Sequence, residues 1–258
     1  MKSYKYYILI LLLFLNVCVW YVAYFALNKD LSVYFLNIGQ GDAIFIQTPD
    51  KVQVLIDGGP DSAVLRELTR IMPIYDRYID VVIMTHPDAD HVGGLNDVLN
   101  RYKVGMVFEP GVFASTTAYT SFKKKTETKI ARRGMSLLLD TDIHLDILFP
   151  DRDPKGWETN TASIVSRLVY GSSSVLLTGD APAKIEKFLA KYDDLKSNIL
   201  KLGHHGSNTS SVEEFIAEVA PEYAIVSSGK DNRYKHPHPK VIERVSKYVK
   251  NILNTAEV

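Results

Sequence analysis

Six consecutive residues, His86, Pro87, Asp88, Ala89, Asp90 and His91, gather two imidazoles and two carboxylates into one short stretch. These are side chains that hold zinc or manganese, and their spacing lets a rigid loop aim them at two ions. His86 and Asp88, two apart, can face one cation, while the adjacent Asp90 and His91 can face a second. Two divalent ions roughly 3.5–4 Å apart can share a hydroxide, the nucleophile of metal-assisted hydrolysis. Gly93 and Gly94 follow, so the backbone can turn tightly after the string. The chain has one cysteine, Cys18, in its N-terminal apolar segment, which excludes a thiolate metal site and an internal disulfide.

Elements of two kinds must position that string. Residues 80–85, "DVVIMT", read as a buried strand that runs directly into it. Upstream, the β-branched runs 31–37, 43–48 and 52–57 are separated by turn sequences and predict an antiparallel meander. Apolar residues at helical spacing predict helices at 62–72 and 94–102, and a longer one over 118–134 that a glycine ends. Strands are expected at 104–110 and 144–150, then a hairpin whose second strand ends at Asp180, then a helix with Pro182 in its first turn. A final helix is expected over 240–250. Five strand ends deliver polar residues: Asp57, the His86 string, Asp180, the pair His204 and His205, and the region of His236. In a layered α/β fold such ends converge on one rim, where ligands bind.

The segment "SSGKDNRYKHPHP" adds Ser228, Lys230, Asn232, Arg233 and His236. Backbone amides around Gly229 with Lys230 or Arg233 can hold a phosphate, and His236 can protonate a leaving oxygen. Ser207 has no base and orienting carboxylate to match a nucleophile, and is expected to bond substrate phosphate or its own loop. Residues 122–134 concentrate Lys123, Lys124, Lys125, Lys129, Arg132 and Arg133, which on a helix fall on several faces and read as solvated surface rather than a nucleic-acid track.

"THPDADHVGG" resembles the HxHxDH signature of the metallo-β-lactamase superfamily, with Asp88 where the second His is usual. "FLNIGQGDAIFI", "VLIDGG", "VLLTGD", "LKLGHHGS" and "VSSGKDNRYKHPHP" are similar, in order and spacing, to the metallo-β-lactamase-like domain of the ComEC competence proteins, over about residues 31–255. The resemblance implies an α/β fold, the αββα four-layer sandwich, with two divalent metal ions. It implies that Asp57 braces the metal loop, that His86 and Asp88 bind the first ion, Asp90 and His91 the second, and that Asp180 bridges both. His205, directly before Gly206, would be a further ligand, leaving His204 to touch substrate. The third-motif histidine of the superfamily is absent. Asn160 is the best-placed polar residue, a poorer ligand that would weaken the first position or favour manganese; it also reads as a cap of its loop. His144 begins a strand and is expected to be structural.

At 258 residues, 46% apolar and 23% charged, the chain can bury a full core. Lys plus Arg and Asp plus Glu are 30 each, so no global charge draws it to a polyanion. Residues 8–27 are uncharged and long enough to cross a bilayer core of roughly 30 Å. Tyr4, Tyr6, Tyr7, Trp20, Tyr21 and Tyr24 suit interfacial belts, with Lys2 and Lys5 before the span and Lys29 and Asp30 after it. The expected organisation is a membrane anchor over 1–30 and a hydrolase domain over 31–258, with the domain extracytoplasmic, or secreted if the segment is a cleaved signal. The expected function is metal-dependent phosphodiester hydrolysis by a metal-bound hydroxide, with Asp90, His204 and His236 at the chemistry and DNA or another phosphodiester as substrate. A different metallo-hydrolase, for phosphorylcholine esters, other esters or lactams, and a non-catalytic DNA-binding or uptake protein are the alternatives. In the resembled family the domain belongs to a multi-span DNA-uptake channel, which a single span does not suffice to build. No feature of the sequence points to a protein partner.

Overall fold

The computed structural model describes residues 3–27 and 30–257. Lys2 and Lys29, two of the charges flanking the apolar span, lie outside the described residues, as does Val258. The span forms one helix, α1 (Ser3–Leu27). Its Leu9, Phe14 and Trp20 are 67%, 63% and 71% exposed, so most of its described apolar surface is uncovered. Length and composition alone make α1 a candidate membrane span.

The domain is two facing sheets. In the first, β1 (Ser32–Phe35), β2 (Ile44–Gln47) and β3 (Gln53–Ile56) form the expected antiparallel meander, and β4 (Tyr78–Ile83), β5 (Lys103–Glu109) and β6 (Lys129–Ile130) continue it in parallel. The second runs β7 (Ser136–Asp140), β8 (Ile143–Phe149), β9 (Val165–Tyr170) and β10 (Ser173–Leu177) antiparallel. Then β11 (Ile199–Lys201), β12 (Tyr223–Val226) and β13 (Asn251–Asn254) follow β10 in parallel.

Alternation along the strands sorts the apolar side chains into three layers. Ile44, Ile46, Val54, Ile56, Val81 and Ile83 face Leu145, Ile147, Leu168, Val175 and Leu177 between the sheets. Phe45, Leu55 and Val82 point the other way, onto α2 (Ala63–Ile71), α4 (Leu95–Arg101) and α5 (Thr117–Lys125) through Val64, Leu68, Leu95, Val98 and Phe122. Leu176, Leu200 and Ala224 pack on α6 (Ala183–Tyr192), α7 (Glu213–Val219) and α8 (Pro239–Ser246) through Ile185, Leu189, Phe215, Ile216, Val241 and Val245. Helices therefore cover both outer faces, giving αββα. A one-turn helix, α3 (Ala89–Val92), carries the end of the His/Asp string.

Two expected elements differ. The helix expected over 118–134 stops at Lys125, because the chain then adds β6 alongside Phe108 and Glu109. Buried Glu109 accepts hydrogen bonds from Tyr119 (3.2 Å), Lys123 (2.5 Å) and Thr128 (2.6 Å), a cluster that a continuous helix could not reach. Arg133 makes two bonds to Asp193, of 2.8 and 2.7 Å, and Arg132 donates to the carbonyls of Pro110 and Ala131, so these two half-buried arginines staple the fold, while Lys123, Lys124, Lys125 and Lys129 stand exposed as expected. The last helix ends at Ser246 and residues 251–254 return as the edge strand β13.

Glu186 in α6 is fully buried and accepts the amides of Ser211 (2.7 Å) and Val212 (2.9 Å), tying the turn after residues 203–206 to that helix. Burial pushes its pKa up to about 7, against those bonds and Arg244. A carboxyl raised in the folded state contributes stability that is complete below its unfolded value near 4.5 and lost as pH rises through about 7. The difference in unfolding free energy between wild type and Glu186→Gln will shift by about 3 kcal/mol against wild type between pH 4.5 and 7.5. Denaturant titrations of both proteins across that range check it, and a pH-independent difference refutes it.

Candidate metal centre

Asp57, His86, Asp180 and His205 follow β3, β4, β10 and β11, and their side chains meet at one rim between the two sheets. Asp57 closes β3 in a left-handed conformation (φ 59°), fully buried. It accepts the Thr85 amide at 2.8 Å, the Thr85 hydroxyl at 2.6 Å and His91 Nδ1 at 2.8 Å. The last bond places a proton on His91 Nδ1 and turns Nε2 towards Asp180 Oδ1 at 3.3 Å. His205 is set the same way: Nδ1 lies 2.9 Å from the Ser227 carbonyl, and Nε2 lies 3.4 Å from Asp180 and 3.5 Å from Asp90. The two Nε2 atoms stand 3.3 Å apart. Two rings whose Nδ1 atoms are both committed to acceptors turn their Nε2 atoms on one point, where a shared cation would take the place of protons.

A second group lies on the other side of Asp180. His86 Nε2 is 3.9 Å from Asp180 Oδ2 and 3.8 Å from Asp88, fully buried and without a hydrogen bond. Asn160 Oδ1 is also buried without one, on the loop whose Thr159 bonds Asp88. The Asn160 side chain caps nothing in its turn, so the capping reading of that residue does not hold. Orphaned buried acceptors cost free energy unless something satisfies them, and this set suits a divalent ion.

The electrostatics agree. Burial pushes His86 down to about 3, so its ring is neutral. Burial opposes ionisation of Asp180, but His205 and His91 outweigh it and hold the carboxyl well below its usual range. Burial opposes protonation of His91 and His205, but Asp180, with Asp57 beside the first and Asp42 beside the second, raises both well above the usual imidazole range. Without a metal ion each ring therefore holds a proton that a cation at Nε2 would displace. Five carboxylates, Asp42, Asp57, Asp88, Asp90 and Asp180, thus share a largely buried centre whose one resident amine is Lys201. Such an anionic centre demands cations.

Two of its members escaped the sequence reading. Asp42, in the turn "GQGD", is 1% exposed, and with His91, Asp180 and His205 it offers atoms within 4.8 Å of one another. Its Oδ1 faces Nδ1 of His205 at 3.3 Å, however, and its other oxygen is paired to Lys201. Asp42 therefore stands behind the ring, and Asp90 stands on the metal-facing side. Gly41 makes this approach possible: a Cβ there would sit 2.2 Å from the Asp90 carbonyl. Lys201, also fully buried, donates to the Gly179 carbonyl at 3.2 Å and lies 4.0 Å from Asp180. A lysine within an apolar strand was the available signal.

The scan against family models matches the metallo-beta-lactamase superfamily over residues 36–230. The chain belongs to that superfamily. Among curated proteins it is 31% identical to ComE operon protein 3 of Bacillus subtilis (90% of this chain, 33% of that protein). It is 33% identical to competence protein ComA of Neisseria gonorrhoeae (88% and 31%) and 34% identical to recombination protein 2 of Haemophilus influenzae (86% and 27%). The chain thus spans about a third of the length of these relatives. Solved structures give the fold: YhfI of Bacillus subtilis (TM-score 0.54, 15% identity, 88% of this chain and 92% of that one) and a metal-dependent hydrolase described as putative from Parabacteroides distasonis (0.53, 14%, 88% and 99%).

Two of the candidate donors around His86, Asp88 and Asn160, offer oxygen rather than imidazole. We expect Asn160→His to tighten the weaker of two manganese or zinc binding events by at least about tenfold, about 1.4 kcal/mol, in calorimetric titration. Unchanged affinity would remove Asn160 from the ligand set. His144 lies elsewhere, paired to Asp146 on β8 at 3.4 Å.

The residues expected at the substrate divide. His204, left-handed like His205 (φ 49° and 55°), keeps Nε2 3.6 Å from Asp180 and is partly exposed. His236 stacks 5.7 Å from Tyr234 and lies 5.8 Å from His204, with Nδ1 buried and unpartnered. Burial, then His205 and His204, lower its pKa, so it stands neutral near pH 7 and offers a hydrogen bond rather than a ready proton. Lys230 and Arg233 line a cleft of about 640 Å³ beside Asp90. The substrate-contact expectation fails for two residues, Asn232 and Ser228. Asn232 spends its amide on the carbonyls of Gly229 and His236 and its oxygen on the amides of Tyr234 and His236. Ser228 is fully buried and bonded to Asn254, whereas Ser207 bonds Thr209, the own-loop alternative expected of it. Each of these side chains shapes a loop.

Proposed function

We propose that the chain is a membrane-tethered, metal-dependent phosphodiesterase whose substrate is DNA. The observation that carries the phosphodiester is the cleft: Asp90 of the metal centre forms part of its wall, and Lys230 and Arg233 line the same space. A site with paired oxygen and nitrogen donors opening onto basic side chains suits a phosphate far better than a neutral amide. The competence relatives favour DNA among phosphodiesters.

His86, Asp88, Asn160 and Asp180 would hold one divalent ion, and Asp90, His91, His205 and Asp180 the other. Ions bound there lower the pKa of water towards neutrality and neutralise charge on the attacked phosphate. The chain's own groups do the rest. Asp57 and the Ser227 carbonyl fix the orientation of His91 and His205, Lys230 and Arg233 hold non-bridging oxygens, and His204 and His236 offer N–H groups to the oxygens at the rim. The anchor α1 would place the domain outside the cytoplasm, as the charge bias around it suggests.

Assays on a plasmid and on a small bis-aryl phosphodiester, each with manganese and with zinc, test this reading. Cleavage of both substrates that Asp90→Ala abolishes is the expected result. Cleavage of the small ester alone points to another metallo-hydrolase, and failure on both leaves a non-catalytic role.

A further inference from the structure

The end of the domain opposite the metal centre carries a feature that catalysis does not use. Ile74 and Tyr75, in the loop between α2 and β4, are 81% and 84% exposed, the most exposed large apolar side chains of the domain among the described residues. Isolated apolar residues are common on surfaces, but two adjacent ones at the tip of a loop make an insertion point.

Strand register locates that tip. Ser32, the first residue of β1, pairs with Gln47, and Gln47 pairs with Gln53. All three mark the rim at which the chain coming from α1 joins the sheet. Gln53 holds the loop at this rim, its side-chain amide donating to Asp76 at 2.7 Å and its backbone amide to Asp80 at 2.8 Å. Val54 is level with Val81, so β4, starting at Tyr78, reaches two residues further out than β3. At about 3.3 Å per residue the loop stands roughly 7 Å beyond the rim. Asp57 and His86 follow the other ends of these strands.

Covalent geometry then limits how far this tip can be from a bilayer that holds α1. Residues 28–31 separate Leu27 from Ser32, a reach of at most about 17 Å. From β1 to β4 is three strand spacings, about 14 Å. Arg77 and Lys103 stand exposed beside the tip, and the Lys103 amide donates to the Arg77 carbonyl at 2.8 Å, so the two cations are held together at this end. An aliphatic and an aromatic side chain flanked by cations match the boundary between acyl chains and anionic headgroups.

We propose that the loop 73–77 docks on the bilayer, Ile74 and Tyr75 entering the interfacial region as a second attachment beside α1. The inference rests on the reading of α1 as a membrane anchor. Two attachments stop the domain from turning about its tether and hold the metal rim away from the lipid, at least the length of β4, about 20 Å. The site then faces substrates in the aqueous phase.

The test uses the full chain in vesicles of phosphatidylcholine and phosphatidylglycerol, in a Cys18→Ser background. An environment-sensitive fluorophore is attached at Tyr75→Cys or, as a control at the opposite end, at Phe113→Cys. Vesicle flotation after a carbonate wash reports anchoring separately. The expected result is flotation of both proteins, with blue-shifted emission and quenching by brominated lipid at position 75 only. Flotation with position 75 as unquenched as position 113 overturns the docking and leaves the anchor intact. Loss from the vesicles in carbonate overturns the anchor, and the docking with it.

Discussion

Asp180→Asn will lower kcat/KM on a phosphodiester by about 10³-fold or more, roughly 4 kcal/mol of transition-state stabilisation, and will empty both metal positions together. The reason is its place between the two groups of donors. Asp180 Oδ1 faces His91, and Oδ2 faces His86, His204 and His205, all between 3.3 and 3.9 Å. Every other donor belongs to one side or the other. Asparagine keeps the volume and one oxygen but removes the charge shared by the two sides, so both affinities fall. Metal content by atomic emission should drop for both ions, whereas Asp90→Ala should drop chiefly the ion between His91 and His205. Far-ultraviolet circular dichroism guards against an unfolded variant. Full metal content in Asp180→Asn would refute the bridging role.

How much of this was legible in the chain depends on whether the signal was local. The string from His86 to His91 is legible because its donors are neighbours. Asp57 and Asp180 are legible because each closes an apolar strand and strand ends share a rim. Asp42 and Lys201 were hidden for the opposite reason. Alone, Asp42 is a turn aspartate and Lys201 an interruption of an apolar strand, and only the stacking of one sheet on the other makes them a pair. Similar logic explains the broken helix expected over 118–134: its local pattern was sound, but Glu109 draws Lys123 and Thr128 together and adds β6. For Ser228 and Asn232, residue type was legible and direction was not. Both polar groups satisfy the loop that carries them, as buried or half-buried polar groups must when no ligand does so.

Lys201→Met will destabilise the metal-free protein by about 3–5 kcal/mol, and adding Asp42→Asn will recover most of that loss. The Lys201 side chain is fully buried, so its loss is not made good by water. Its ammonium contacts Asp42, the Gly179 carbonyl and, at 4.0 Å, Asp180. Methionine fills nearly the same space, which keeps packing out of the comparison. What changes is charge: Asp42 is left buried without its ammonium, with the His205 and His91 rings as its remaining partners. An uncompensated buried carboxylate costs far more than the pair contributes, because desolvation of the survivor is no longer offset. For a chain of this size the unfolding midpoint should fall by on the order of 10 °C. Converting Asp42 to the neutral amide removes the stranded charge while His205 keeps its bond to the Ser227 carbonyl. If the double variant is as unstable as Lys201→Met, the lysine acts through packing or through Gly179. If Lys201→Met melts with wild type, Asp42 is not held as a carboxylate by this pair. Calorimetry of the three proteins after chelation of metal distinguishes these outcomes. With metal bound, the same substitution should also weaken the ion between His91 and His205, since Asp42 stands directly behind the His205 ring.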